Sequence, residues 1–60
     1  MKYLAKVQSK HRVAGTILVA TVEVEAPDEK VAVFKAKRDF AKVFRVSPEV
    51  ATVRKLEVIE

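Results

Sequence analysis

His11 is the side chain best suited to acid–base chemistry near neutral pH, and the chain has no other histidine. It lies between Lys10 and Arg12, with no carboxylate close by in the chain to orient its ring. Ser9, two residues earlier, would need a base within hydrogen-bonding distance to act as a nucleophile. Because the sequence supplies no such arrangement, it predicts no catalytic residues and a protein that is not an enzyme.

Metal ions and phosphate groups need ligand patterns that this sequence lacks. One histidine and no cysteine cannot form the usual zinc cluster. A single glycine excludes a glycine-rich phosphate loop, and the neighbouring acids lack the ligand spacing of a calcium loop. We therefore expect no metal and no cofactor. These acids are Glu23, Glu25, Asp28 and Glu29.

Basic residues form two groups that could bind an anionic partner. Lys35, Arg38 and Lys42 are spaced to form one stripe on a helix, here called the helix ridge. Lys10, His11 and Arg12 form a loop cluster, and loops often carry binding residues. In both cases the alternative is an ordinary solvated surface. A third pair, Arg54 and Lys55, is predicted to lie on opposite faces of a strand.

Phe34 is an aromatic residue predicted to lie at the border of the helix ridge. Two interpretations stay open. A large apolar side chain surrounded by cations is typical of the centre of a protein interface. Alternatively, Phe34 completes a wide core, with the stem of Lys37 packed beside it. The predicted partner-binding residues are thus Lys10, His11, Arg12, Phe34, Lys35, Arg38 and Lys42.

Length and charge limit the kind of protein. Sixty residues predict one domain, residues 1–60, whose free energy of unfolding is modest. The formal net charge is +4, which favours acidic partners: nucleic acid or an acidic protein surface. We found neither an apolar run of membrane-spanning length nor a signal-peptide pattern, so a cytoplasmic protein without membrane contact is expected.

Two strands are predicted before the helix. Along residues 3–8, Tyr3, Ala5 and Val7 share one face. A loop is expected at residues 9–15, ending at the single glycine. Residues 16–25 alternate clearly, with one set facing the core because the other includes two glutamates. That core-facing set is Leu18, Ala20, Val22 and Val24.

The helix is predicted to start in residues 26–29, with Pro27 in its first turn, and to run to about Phe44. Residues 47–49 predict a turn or a single-turn helix, and residues 52–59 a last strand. That strand alternates imperfectly, which indicates either cover on both faces or a bulge. The helix residues expected to pack on the sheet are Ala32, Val33, Ala36, Phe40, Val43 and Phe44.

The predicted fold class is α+β: a β-β-α-β order with a three-stranded, mostly antiparallel sheet and one helix packed on one face. Strand order 2-1-3 is expected, and 1-2-3 with a parallel crossover is the alternative. The opposite sheet face is expected to be apolar enough to favour a homodimer or a protein complex. The residues assigned to that second face are Leu4, Ile17, Val19, Val53 and Ile59.

The segments KYLAKV, VEAPDEKVAVFKAKRDF and VRKLEVIE, with a strand after the first, resemble the layout of small phage-encoded host-takeover proteins of β-β-α-β design. The phage T7 inhibitor of bacterial RNA polymerase and some anti-CRISPR proteins share that layout. That inhibitor uses an acidic surface, whereas this chain is basic, so the resemblance implies no target and no functional residues. VEAPDEKVA and KLEVIE also resemble archaeal ribosomal proteins of the L18a/L20a type, which implies RNA binding.

The sequence therefore predicts a small interaction protein, phage-like, that binds and modulates a host macromolecule. A host protein is the expected partner, and nucleic acid is possible. The alternatives are a structural RNA-binding protein of ribosomal type and a homodimeric scaffold.

Overall fold

Three antiparallel strands form one sheet in the order β2-β1-β3, as predicted. The computed structural model describes residues 1–12 and 14–59, so Val13 of the predicted loop and Glu60 lie outside the described part. One helix, α1, packs against the sheet, and the fold is the predicted α+β β-β-α-β layout. The elements are β1 Lys2–Ser9, β2 Val19–Glu25, α1 Glu29–Phe44, a 3₁₀ turn Pro48–Val50 and β3 Ala51–Val58.

The central strand β1 has the burial that its alternation predicts. Tyr3, Ala5 and Val7 all point to the helix side and are no more than 3% exposed. The strand continues through Ser9, which is also fully buried. A strand with neighbours on both sides and a helix above it keeps little contact with water, so β1 forms the middle of the core.

Strand β2 begins at Val19, three residues later than predicted. Leu18 is not part of the regular strand, although its backbone N–H still donates to Ser9 Oγ at 2.8 Å. Before it, Ala14 and Gly15 both have positive φ, and this turns the chain away from regular pairing. The alternation within β2 is as predicted, with the Leu18 set turned inward and Val19 and Glu23 exposed.

A bulge in β3 explains its irregular pattern. The register shifts between Lys6 and Val7 of β1: Lys6 pairs with Lys55, and Val7 pairs with Val53. Arg54 is therefore an extra residue without a partner position on β1. The shift turns Val53 toward the core, so its assignment to the second sheet face is wrong. Of the two explanations that the sequence allowed, the bulge is confirmed.

Helix α1 starts at Glu29, with Asp28 as its N-cap. Asp28 Oδ1 accepts from the Val31 N–H at 3.0 Å, so this residue ends the strand-to-helix connection. Pro27 precedes the cap, and its predicted place in the first turn is wrong. The helix ends at Phe44, as predicted, and Arg45 follows in the left-handed conformation with φ 55°.

The buried face of α1 differs from the predicted arc most clearly at Val43 and Ala41. Ala32, Ala36 and Phe40 are fully buried, as expected. Val43 is 73% exposed, so its assignment to the core is wrong. Ala41 is buried instead, beside the returning chain where the Val46 N–H donates to Ala41 O at 3.0 Å. Helical period alone shows neither where the sheet beneath a helix ends nor where the following chain returns.

The core is made mostly of small residues, which lets the helix pack closely on the sheet. Phe40 is the largest of its fully buried side chains, and its ring lies 4.7 Å from that of Phe44. Val22 and Phe44, both expected in the core, are half-buried at its border. Val33, also expected in the core, is half-buried and does not pack against the core cluster. The six buried alanines are Ala5, Ala26, Ala32, Ala36, Ala41 and Ala51.

Replacing Ser9 with alanine should lower the free energy of unfolding by about 1–3 kcal/mol, because the Leu18 N–H would lose its acceptor in a buried site. Ser47→Ala is the matched control. The Ser47 hydroxyl accepts from the Glu49 N–H at an exposed site, so water can take its place as the acceptor in the variant. The free energy of unfolding should therefore fall by less than about 1 kcal/mol. Urea unfolding followed by circular dichroism measures both, and equal losses would contradict the structural role of Ser9.

Candidate functional site

The outer face of α1 concentrates the positive charge of the protein. Six of the twelve lysines and arginines lie between residues 30 and 45, where Asp39 is the only acid. The three residues of the helix ridge are all exposed on this face, as predicted. The helix itself packs on the sheet through its other side, so these cations are held at fixed spacing. The six are Lys30, Lys35, Lys37, Arg38, Lys42 and Arg45.

Phe34 lies on this face and does not belong to the core. Its side chain is 60% exposed, and the Arg38 guanidinium carbon lies 5.7 Å from the centre of its ring. The interpretation in which Phe34 completes the core is therefore wrong. At about 100° per residue, Phe34 falls near the middle of the arc that the cations occupy. An exposed cation–aromatic pair of this kind contributes only about 0.5–1 kcal/mol, so it does not explain why an aromatic residue stands in water.

Lys35 differs from the other ridge residues because its ammonium group is already engaged. Lys35 Nζ donates to the backbone oxygen of Glu25 at 2.7 Å, which ties the middle of the helix to the end of β2. Arg38 and Lys42 have no such bond to the sheet in the described part of the chain. Arg38 and Lys42, together with the neighbouring Phe34, are consequently the residues of this helix face best placed to contact a partner.

The loop cluster lies at the end of the molecule where α1 ends. Lys10, His11 and Arg12 are all exposed. The Lys10 N–H donates to the backbone oxygen of Val50, in the 3₁₀ turn that follows the helix. The structure thus places the loop cluster at the same end as Lys42, although the sequence separates them by about thirty residues.

The open face of the sheet is more polar than predicted. Neighbouring strands place Lys6 beside Thr21 and Lys55, and the next row places Leu4 beside Glu23 and Glu57. Lys55 and Glu57 form an ion pair of 3.0 Å. A shallow depression of about 200 Å³ on this face is lined by Leu4, Lys6, Thr21, Lys55 and Glu57. A face with alternating charges can stay in contact with water, so it does not require a covering partner.

The apolar residues expected on that face are scattered and do not form one patch. Ile17, Val19 and Ile59 are exposed by 47%, 53% and 45%. Leu4 is half-buried in its centre, and Val53 has turned to the core. Scattered apolar residues among charges are common on monomeric proteins. The open sheet face is therefore not the continuous apolar surface that the sequence predicted.

A groove between α1 and the outer edge of β2 was not predicted. It has a volume of about 380 Å³ and lies beside the backbone of β2. No local pattern could have indicated it, because its two walls come from a strand and a helix whose relative position is a property of the packed fold. Its lining residues are Glu23, Val24, Glu25, Lys35, Arg38 and Asp39.

Within residues 1–12 and 14–59, no three acids or histidines come together as a possible metal site. His11 is exposed on the loop after β1, and its ring makes no hydrogen bond to another described residue. In the same described part, no helix has the length and apolar character needed to cross a membrane.

No protein-family model matches the chain, and neither a curated protein nor a solved structure matches it. The resemblances to phage and ribosomal proteins accordingly stay predictions.

Proposed function

We propose that this protein is a small, non-enzymatic interaction protein that binds an acidic surface of another protein through the outer face of α1. The observation that carries the proposal is Phe34, which is 60% exposed beneath Arg38 in the middle of a cationic helix face. Modulation of a host protein, as in the phage-encoded proteins of similar layout, is the role we propose for such binding.

Charge supports an anionic partner. The formal net charge is +4, and the segment from Glu29 to Arg45 alone carries six cations against two acids. The open sheet face, in contrast, mixes both signs and includes the Lys55–Glu57 ion pair. A one-sided positive surface increases the rate of encounter with an acidic partner and sets the orientation in which the two meet.

Rigidity and a central anchor favour a protein partner. The helix is capped by Asp28, tied to β2 through Lys35 and packed on the sheet through Phe40, so its outer side chains need little further ordering on binding. Exposed lysines each contribute little to affinity, whereas a buried aromatic residue at the centre of an interface contributes much. Phe34 is the only residue of this face that can act as such an anchor.

RNA binding is the second candidate, and one specific observation favours it. The loop cluster and the C-terminal end of α1, with Lys42 and Arg45, lie at the same end of the molecule. Cations from two elements can contact successive phosphates of one backbone. Phe34 stands nearer the middle of the helix and is not part of this surface, whereas Lys42 belongs to both candidate surfaces.

Two double charge reversals should separate these surfaces. Arg38→Glu/Lys42→Glu changes the ridge, and Lys10→Glu/Arg12→Glu changes the loop, and both lower the net charge by the same amount. We expect the ridge variant alone to lose capture of a protein from nuclease-treated lysate. Lys35 is left unchanged because its bond to Glu25 has a structural role.

The same pair of variants tests the alternative with a defined probe. Binding of a single-stranded RNA oligonucleotide is measured against salt concentration. The slope of log affinity against log salt concentration reports the number of phosphate contacts. If both variants weaken RNA binding and each lowers this slope by the equivalent of about two contacts, the function is RNA binding. If capture of protein survives in the ridge variant, the proposed function is wrong.

A further inference from the structure

The outer edge of β2 presents a row of backbone groups that β1 does not use. Within residues 1–12 and 14–59, β1 is the only strand that pairs with β2. At the two ends of this pair, the Ser9 N–H donates to Leu18 O and the Ala26 N–H to Met1 O. In an antiparallel pair, alternate residues turn both backbone groups toward the same neighbour. The residues whose N–H and C=O groups point to the free edge are therefore Val19, Thr21, Glu23 and Glu25.

One of these groups is already used. The backbone oxygen of Glu25 accepts from Lys35 Nζ at 2.7 Å, and a carbonyl oxygen can accept a second bond. The remaining edge is regular over seven residues, without proline, lysine or a bulge. Proline, lysine and bulges are features by which proteins prevent a strand edge from pairing, and the charged residues of β2 are Glu23 and Glu25.

The opposite edge of the sheet does not have this regularity. In β3 the extra residue Arg54 interrupts the pairing geometry in the middle of the strand, and Lys55 follows it directly. A bulge and nearby cations weaken an edge as a template for another strand. The two edges are thus unequal, and β2 is the one that can accept a further strand along its whole length.

We propose that β2 pairs with β2 of a second copy of this chain, antiparallel across a twofold axis at Val22, to form a continuous six-stranded sheet. This register pairs all seven residues of the strand. It places Thr21 opposite Glu23 of the second copy and Val19 opposite its Glu25, so each glutamate lies opposite an uncharged residue. An axis at Glu23 would place Glu23 opposite Glu23 of the second copy. An axis at Thr21 would leave fewer residues of β2 paired.

The helix side of β2 supports a second copy as the occupant. Ala20 and Val22 point to this side but are only half-buried, whereas Ala5 and Val7, their partners on β1, are fully buried. Pairing across the axis brings Val22 against Val22 and Ala20 against Val24 of the second copy. The second copy would then cover Ala20 and Val22, which are partly exposed to water in the single chain.

Thr21→Glu is the variant that tests this arrangement. In the dimer it places a glutamate opposite Glu23 of the second copy, twice because of the symmetry, and should raise the dissociation constant about tenfold. In the monomer Thr21 lies beside Lys6, so the new carboxylate has a favourable neighbour and the fold is kept. Thr52→Glu, the same substitution on the same sheet face of β3, is the matched control and should not change association.

Sedimentation equilibrium over about 10–500 µM should show a species of twice the 6.7 kDa chain mass. Thr21→Glu/Glu23→Lys, which restores an opposite-charge pair, should recover the affinity. Hydrogen exchange should show the Thr21 and Glu23 amides protected as concentration rises, while the Leu56 and Val58 amides stay unchanged. A wild-type monomer throughout this range, or a dimer that Thr21→Glu leaves intact, would overturn the proposal. Lys35 and Arg38 of the helix ridge line the groove beside the same edge, so self-association is measured on the purified chain without a captured partner.

Discussion

Phe40→Ala should leave the protein largely unfolded at room temperature. Phe40 is completely buried, and its ring lies 4.7 Å from that of Phe44. Removing it should lower the free energy of unfolding by about 3–5 kcal/mol, because the small residues around it cannot fill the cavity. A domain of this length has a total of only roughly 3–9 kcal/mol. Thermal and urea unfolding, followed by circular dichroism, measure the loss.

Phe34→Ala is the matched control for this prediction. It removes the same side chain from the same helix, at a position that is 60% exposed. Its free energy of unfolding should stay within about 1 kcal/mol of the parent, the loss being limited to the contact with Arg38. If Phe40→Ala keeps a cooperative melt near the parent temperature, the packing of α1 on the sheet is not as described.

Phe34→Ala should have the largest effect of any single substitution on binding to a protein partner. We expect a loss of about 2 kcal/mol or more, since Phe34 is the one large apolar side chain among the cations of the ridge. Lys42→Ala should lose less than about 1 kcal/mol, because an exposed charge gains little on pairing. Titration calorimetry with the captured partner gives both values.

The order of these two effects distinguishes protein from nucleic acid. For RNA, Lys42→Ala should reduce the salt dependence by roughly one contact, while Phe34→Ala should matter little unless the ring stacks on a base. Because Phe34→Ala is expected to keep the fold intact, a loss of binding in this variant reports on the contact itself. If the Phe34→Ala protein binds its protein partner as tightly as the parent does, Phe34 is not the anchor of the interface.

The sequence alone determined the order and type of the elements. The alternation of β1 and β2 predicted their inward faces, since side chains in a strand point to opposite sides with a fixed period. The acids after Pro27 indicated the start of α1 to within a few residues, and Pro48 indicated the turn before β3. Strand order 2-1-3 was predicted because a helix after a hairpin can return the last strand beside the first. All of these depend on local period and on residues with restricted backbone conformations.

Only the tertiary structure decided which apolar residues are covered. One extra residue at Arg54 reversed the side chain of Val53, an effect that the imperfect pattern allowed but could not place. The exposure of Phe34 and Val43 depends on where the sheet and the returning chain lie beneath the helix. Contacts between distant segments also produce the groove beside β2 and make the β2 edge of the sheet more regular than the β3 edge. Period in a sequence shows which residues share a face, but it does not show what packs against that face.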